Sequence, residues 1–204
     1  MTAGDAYRLE VGGGARLRAD IIDVYVFRRG VPSERDTDGR LQTEFLQLLR
    51  RGAPLDGTWQ PVMGHVERGE SSVACALREL REEVGLAHAD PRFLGLYALE
   101  QVHPFYLAAI DSIVLSPRFC AEVSRDWAPR LNDEHSDHRW VVQGDAPLRF
   151  MWPGQVASCR ELIQHVLRPQ SLSYAPSWVR VNGLGDSPRP TPRYPGPGTG
   201  PRAP

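Results

Sequence analysis

Lysine is absent from this chain: all 24 basic residues are arginine. Schiff-base chemistry on a lysine amine is therefore excluded. Cysteine is scarce. Cys75, Cys120 and Cys159 are odd in number and widely spaced, with no C-x-x-C pair, so neither a disulfide framework nor a zinc site is indicated. No apolar run approaches the length of a membrane span, and the opening "MTAGDAYRLEVGGGARLRAD" has no hydrophobic signal region. Reduced thiols without a leader predict a cytoplasmic protein. Charge of one sign is lacking too. The net charge is −1 and the pI near 6.6, which argues against a nucleic-acid polymer or an anionic membrane as partner. There is no D-x-D-x-D-G calcium loop and no internal repeat.

What is present fits one domain. A chain of 204 residues is long enough for its own core and short enough that a single domain is the default. "DIIDVYVFRR" (20–29) and "TEFLQLLRR" (43–51) read as a hairpin-like pair of strands around a polar loop. A short strand precedes residue 64; "RFLGLYALEQV", "DSIVLSPRFCAEV" and "DHRWVV" are further strand candidates. A helix is predicted over 154–167, with Val156, Cys159, Ile163 and Val166 on one face. Strands interleaved with helices imply an α/β fold with a mixed sheet between helical layers. Residues 1–15 read as an N-terminal extension. The stretch 169–204 reads as a Pro/Gly-rich tail, disordered from 183, because such a composition buries too little apolar surface to order itself.

The most informative stretch is "GHVERGESSVACALRELREEVGL", residues 64–86. At about 100° per residue, Glu79, Glu82 and Glu83 project onto one side of a helix within an arc of roughly 100°. Val73, Leu77, Leu80 and Val84 form an apolar stripe opposite, so the segment predicts an amphipathic helix with outward carboxylates. Ser71 or Ser72 caps its start, and Gly85 suits an end that needs positive φ. A solvated charged face is the plain reading. Apart from Arg78 with Glu82, however, no base at i+4 offsets the repulsion. Clustered oxygens suit a hard divalent cation, which converts repulsion into coordination.

The spacing is more specific still. Gly64, Glu70, Arg78-Glu79-Leu80, Glu82-Glu83 and Gly85-Leu86 match G-x5-E-x7-R-E-U-x-E-E-x-G-U at every specified position, U being aliphatic. Chance agreement anywhere in such a chain is on the order of 10⁻⁷. This is the Nudix box, and the chain resembles Nudix hydrolases over residues 16–168. The resemblance implies an α/β/α sandwich and Mg²⁺-dependent (alternatively Mn²⁺-dependent) cleavage of a nucleoside diphosphate linked to another group. It also implies a small-molecule nucleotide as partner, with a homodimer left open. Glu79, Glu82 and Glu83 become metal ligands, joined by the Gly64 carbonyl. Arg78 becomes the holder of Glu70 or Glu82, or else a phosphate contact. Glu70 and Gly85 become structural members of the motif. The general base is left between Glu79 and an acid outside the box.

Within the family the chain resembles the branch of dATP and dihydroneopterin triphosphate pyrophosphohydrolases. "TWQPVMGHVERGE", "LNDEHSDHRWV" and "MWPGQVASCRELIQ" carry that likeness. It makes Glu134 a further metal ligand; the alternative is an exposed loop acid. Arg50, Arg51 and Trp59 are the candidate substrate contacts, since arginine pairs bidentately with phosphate. A tryptophan at a strand edge, Trp59 or Trp140, is more often core than base-stacking. His135 and His138 donate to phosphate or have no role, and His65 and His103 are weaker candidates. The proline expected beyond the box in ADP-ribose enzymes is missing: Gln101 and Val102 stand there. The tyrosine expected in one dinucleoside polyphosphate branch is missing too. The resulting expectation is hydrolysis of a triphosphate to monophosphate and pyrophosphate. The alternatives are ADP-ribose, dinucleoside polyphosphate or oxidised-nucleotide hydrolysis, and a non-catalytic nucleotide-binding module, which the intact glutamates disfavour.

Overall fold

The computed structural model describes residues 13–30, 42–53, 55–167 and 181. The expected tail apart from residue 181, most of the N-terminal extension and the polar loop after residue 30 lie outside the described residues. Among the described residues ten strands and three α-helices follow in order: β1 (Arg16–Arg18), β2 (Ile21–Arg28), β3 (Glu44–Arg50), β4 (Trp59–Gln60), β5 (Val62–His65), α1 (Ser72–Val84), β6 (Phe93–Ala98), β7 (Phe105–Leu107), β8 (Ser112–Val114), β9 (Arg118–Val123), β10 (His135–Val142), α2 (Ala146–Arg149) and α3 (Pro153–Glu161). A π-helical turn, Leu162–Val166, continues α3.

The large sheet runs β10-β3-β2-β9-β6, with β4 added to β3 and β5 to β2. It is mixed, because β2 and β9 are parallel while the other pairs are antiparallel. β2 is buried on both faces, which explains its nearly unbroken apolar run. Its alternate residues feed two cores. Ile22, Val24 and Val26 pack with Cys75, Ala76, Leu80 and Val84 of α1. Tyr25 and Phe27 pack with Phe150, Cys159 and Leu162 on the other side. The result is the helix–sheet–helix layering expected from the sequence, and no helix among the described residues is long and apolar enough to cross a membrane.

Two expectations need correction. "DSIVLSPRFCAEV" is not one strand: it divides at Pro117 into β8, which joins β1 and β7 in a separate three-stranded sheet, and β9 of the large sheet. Proline has no amide to continue a ladder. The box helix is also rotated from its expected setting. Cys75, Ala76, Glu79, Leu80, Glu83 and Val84 are its buried residues, whereas Val73 and Leu77 are only partly buried. Small Cys75 and Ala76 let the helix lie close to the sheet, and that turns two of the three glutamates inward.

One buried ion pair ties the layers together. Arg118 of β9 donates to Asp23 of β2 at 3.1 Å, and the two side chains are 3% and 4% exposed. The same guanidinium donates to the Gly154 carbonyl of α3 at 3.2 Å, while the Tyr25 hydroxyl donates to Asp23 at 3.4 Å. Burial pushes the Asp23 carboxyl up and Arg118 opposes the shift. Removing one member of such a pair leaves an uncompensated charge. Arg118→Met is therefore expected to lower stability by about 3–5 kcal/mol, measured by urea denaturation. A loss under about 1 kcal/mol would show that the pair contributes little beyond packing.

Candidate active site

β5 and α1 meet at Gly64. The residue sits opposite Ile22, on the helix side of the sheet, and the space its side chain would occupy is filled by Glu79. Glycine is needed there for close approach rather than for an unusual φ. The chain then turns, with the Glu67 amide donating to the Glu70 carboxylate at 3.0 Å. Ser71 caps α1 by accepting from the Ala74 amide at 3.1 Å. At the far end Gly85 adopts φ 70°, and its amide donates to the Leu80 and Arg81 carbonyls.

Arg78 is the hub of the site. It grips Glu70 with two hydrogen bonds of 3.0 Å each, reaches Glu79 at 2.7 Å and Glu82 at 3.2 Å, and donates to the His65 carbonyl at 2.9 Å. The two expected partners, Glu70 and Glu82, are thus both held, together with Glu79. For Glu70 burial opposes ionisation, yet the Arg78 hydrogen bonds and the Glu67 amide outweigh it and lower its pKa. Glu70 fastens the loop to the helix.

The metal-ligand candidates are not outward-facing as expected. Of the three box glutamates, Glu79 and Glu83 are 9% and 3% exposed, and Glu82, with its side chain at 46%, faces solvent. Burial raises the pKa of Glu79 against the pull of Arg78, with Glu82 and Glu134 adding to the rise. Burial pushes Glu83 well above the carboxylate range, reinforced by Glu79 and Glu134, while the Met63 backbone and Arg50 act the other way. One Glu83 oxygen, Oε2, is buried with no hydrogen-bond partner.

His135 lies behind that oxygen. Its Nε2 is 3.8 Å from Glu83 Oε2. Burial, then Arg50, push its pKa down to about 4, so the contact is a neutral imidazole beside a carboxylate and not an ion pair. Nδ1 faces the Asn132 side-chain oxygen at 3.2 Å and Nε2 faces the Gln60 amide nitrogen at 3.4 Å. These neighbours assign the proton to Nδ1. The sequence left His135 undecided. Its place next to Glu134 in the E-H-x-x-x-x-W segment was the available signal.

Glu134 completes the group. Its carboxylate is bonded to Arg50 at the end of β3, its amide donates to Asn132 at 3.1 Å, and its carbonyl accepts from the Arg51 amide at 2.8 Å. Arg51 therefore joins the site through its backbone, and its side chain is exposed. Trp59 is placed elsewhere. It pairs with Leu49, whose neighbour Leu48 belongs to the core under α1, so Trp59 lies on the opposite face. There the Arg139 guanidinium covers it at 4.0 Å. Trp140 packs against the α1-side core, as a structural tryptophan does.

The donor set suits a hard divalent cation: carboxylate oxygens, one of them buried and unpartnered, with Glu79 closely packed on Gly64. Among the described residues, no three carboxylate, imidazole or thiol groups already form a cage. Arg78 and Arg50 engage the acids instead.

A family model for the NUDIX domain matches residues 27–160. A curated octanoyltransferase of Myxococcus xanthus is 36% identical over 109 residues, covering 52% of this chain and 29% of that protein; the chain thus spans less than a third of the relative's length. In structure the chain is similar to a C. elegans Ap4A hydrolase (TM-score 0.55, 20% identity, 72% of this chain and 97% of that one). It is similar to the E. coli dihydroneopterin triphosphate pyrophosphohydrolase (0.54, 20%, 70% and 94%). The Shewanella oneidensis NrtR NUDIX domain complexed with ADP ribose is another such neighbour (0.55, 16%, 81% and 99%). With the family model covering about two thirds of its length and every box residue in place, the chain belongs to the Nudix family.

Proposed function

We propose that the chain hydrolyses a nucleoside triphosphate-like substrate, of the dATP or dihydroneopterin triphosphate type, to monophosphate and pyrophosphate. The observation that carries this reading is the position of Glu134, an acid outside the box that stands among Glu79, Glu83 and Arg50. Three near neighbours in structure act on or bind different nucleotides at nearly equal TM-score, so fold likeness alone does not choose among them. The choice rests on the three stretches around Trp59, Glu134 and Trp152. The catalytic domain is placed at residues 16–168. The three cysteines are free and buried, which supports a reducing, cytoplasmic setting.

Mg²⁺, or Mn²⁺ in its place, would be held by Glu79, Glu82, Glu83 and Glu134 with the Gly64 carbonyl. It supplies charge neutralisation at the phosphates and a lowered pKa for attacking water. The chain's own residues do the rest. Arg78 fixes the orientation of Glu79 and Glu82 while Glu70 anchors Arg78 to the loop. Glu79 or Glu134 takes the proton as water adds to phosphorus. Neutral His135 stands beside Glu83 without adding a positive charge that would compete with the cation, and leaves Glu83 Oε2 unpartnered. Arg50 stands where a guanidinium can pair with phosphate oxygens.

Glu82→Gln and Glu83→Gln are each expected to lower kcat by at least about 10²-fold, with the circular dichroism spectrum unchanged. The assay is phosphate release from a nucleotide panel with and without Mg²⁺; undiminished turnover in both variants would remove this face as the metal site. Gly64→Ala should act through geometry. Its methyl group displaces the buried Glu79, so kcat should again fall by about 10²-fold, with a loss of stability of about 1–3 kcal/mol from overpacking. In the panel, pyrophosphate should appear from dATP or dihydroneopterin triphosphate with a higher kcat/KM than for ADP-ribose or a dinucleoside polyphosphate. The opposite order would move the chain to another substrate branch.

A further inference from the structure

Arg50 has the position of a residue that two partners want at different times. Its backbone is pinned: the amide donates to the Thr58 carbonyl and the carbonyl accepts from the Gly57 amide, each at 2.9 Å. The backbone of Glu134 is pinned as well, by Asn132 and by the Arg51 amide. Only the side chains are left to move. They meet in an ion pair in which the Glu134 side chain is 53% exposed and that of Arg50 is 24% exposed. A pair so open to water is readily exchanged. Arg50 also faces the interior of the site, since its charge acts on Glu83 and on His135. Arg78 is differently placed. It is locked by Glu70 and the His65 carbonyl and has no comparable freedom.

We propose that Arg50 is a positioning residue that competes with the divalent cation for Glu134, and that substrate phosphate resolves the competition by drawing the guanidinium to itself. The inference rests on the reading of Glu134 as a metal ligand. A carboxylate cannot give the same lone pairs to a guanidinium and to a cation, and a second positive charge beside Glu83 disfavours the cation further. Phosphate removes both obstacles in one movement: Arg50 gains a bidentate partner and Glu134 is released toward the site. Cation and nucleotide then strengthen each other's binding, and each favours the other by the same factor. The cation alone is held weakly by design of the charges around it.

The test uses the full chain and Mn²⁺ alone, with free Mn²⁺ followed by electron paramagnetic resonance and no nucleotide present. Arg50→Gln is expected to bind Mn²⁺ at least about fivefold more tightly than the wild type, because one opposing charge is gone. Arg50→Met serves as a second charge-removing variant with the same expectation. Arg50→Lys keeps the charge and should stay within about twofold of wild type. On a Glu134→Gln background Arg50→Gln should gain clearly less, since only the charge beside Glu83 is then relieved. For nucleotide turnover, Arg50→Gln should raise KM. Unchanged or weaker Mn²⁺ binding in the charge-removing variants overturns the proposal, as does a gain of equal size without the Glu134 carboxylate. Glu134→Gln alone should weaken Mn²⁺ binding; wild-type affinity there would reject Glu134 as a ligand, and the exchange with it. That result is separate from a failure of the Nudix chemistry, which appears in the turnover of the Glu82 and Glu83 variants.

Discussion

The site depends on one guanidinium. Arg78 joins the loop before α1 to the helix itself, because Glu70, Glu79, Glu82 and the His65 carbonyl all accept from it. Without that charge the buried and half-buried acids would repel one another, and the loop carrying Gly64 would lose its anchor to the helix. Arginine is suited to the task where lysine is not: its fork satisfies several acceptors at fixed angles. In a chain devoid of lysine, the hub and the exchangeable cation near Glu134 are the same residue type in two roles. One is locked by a bidentate partner, and the other is held by a solvent-touched pair.

The sheet explains why the acids can be arranged so closely. β2 is covered on both faces, so β5 beside it offers a flat, rigid edge against which α1 lies. Small residues at 75 and 76 bring the helix close, and Glu79 occupies the volume that Gly64 leaves open. On the opposite face, Asp23 of β2 and Arg118 of β9 link those two strands to α3. Packing on one side and a buried ion pair on the other thus hold a single strand from which the site is measured.

Much of this was legible in the sequence because it is local. The Ser71 cap, the Gly85 terminus and the spacing from Gly64 to Leu86 are short-range features, and they appear as read. The strands β2, β3, β6 and β10 follow from apolar patterning. What sequence reasoning misjudged depends on contacts between distant segments. Helical projection finds which residues share a side, but not how far a helix is rotated, and so Glu79 and Glu83 were expected outside. The break at Pro117 assigns one apolar run to two sheets, which a linear pattern does not reveal. His135 gained its place from Asn132, Gln60 and Glu83 together, and no single stretch contains all three. Trp59 looked like a site residue from its neighbours in sequence, yet strand alternation carries it to the far face.

The outer edge of β6 has a further consequence. β6 ends the large sheet, and a terminal strand normally presents unpaired carbonyls and amides that another chain can join. Here the Val181 amide donates to the Leu96 carbonyl at 2.8 Å, and Val181 packs against the α1-side core. A neighbouring molecule adding a strand at that point would first have to displace a bond already made by its own host chain. Val181 thus occupies one carbonyl of that edge, which an added strand would otherwise use.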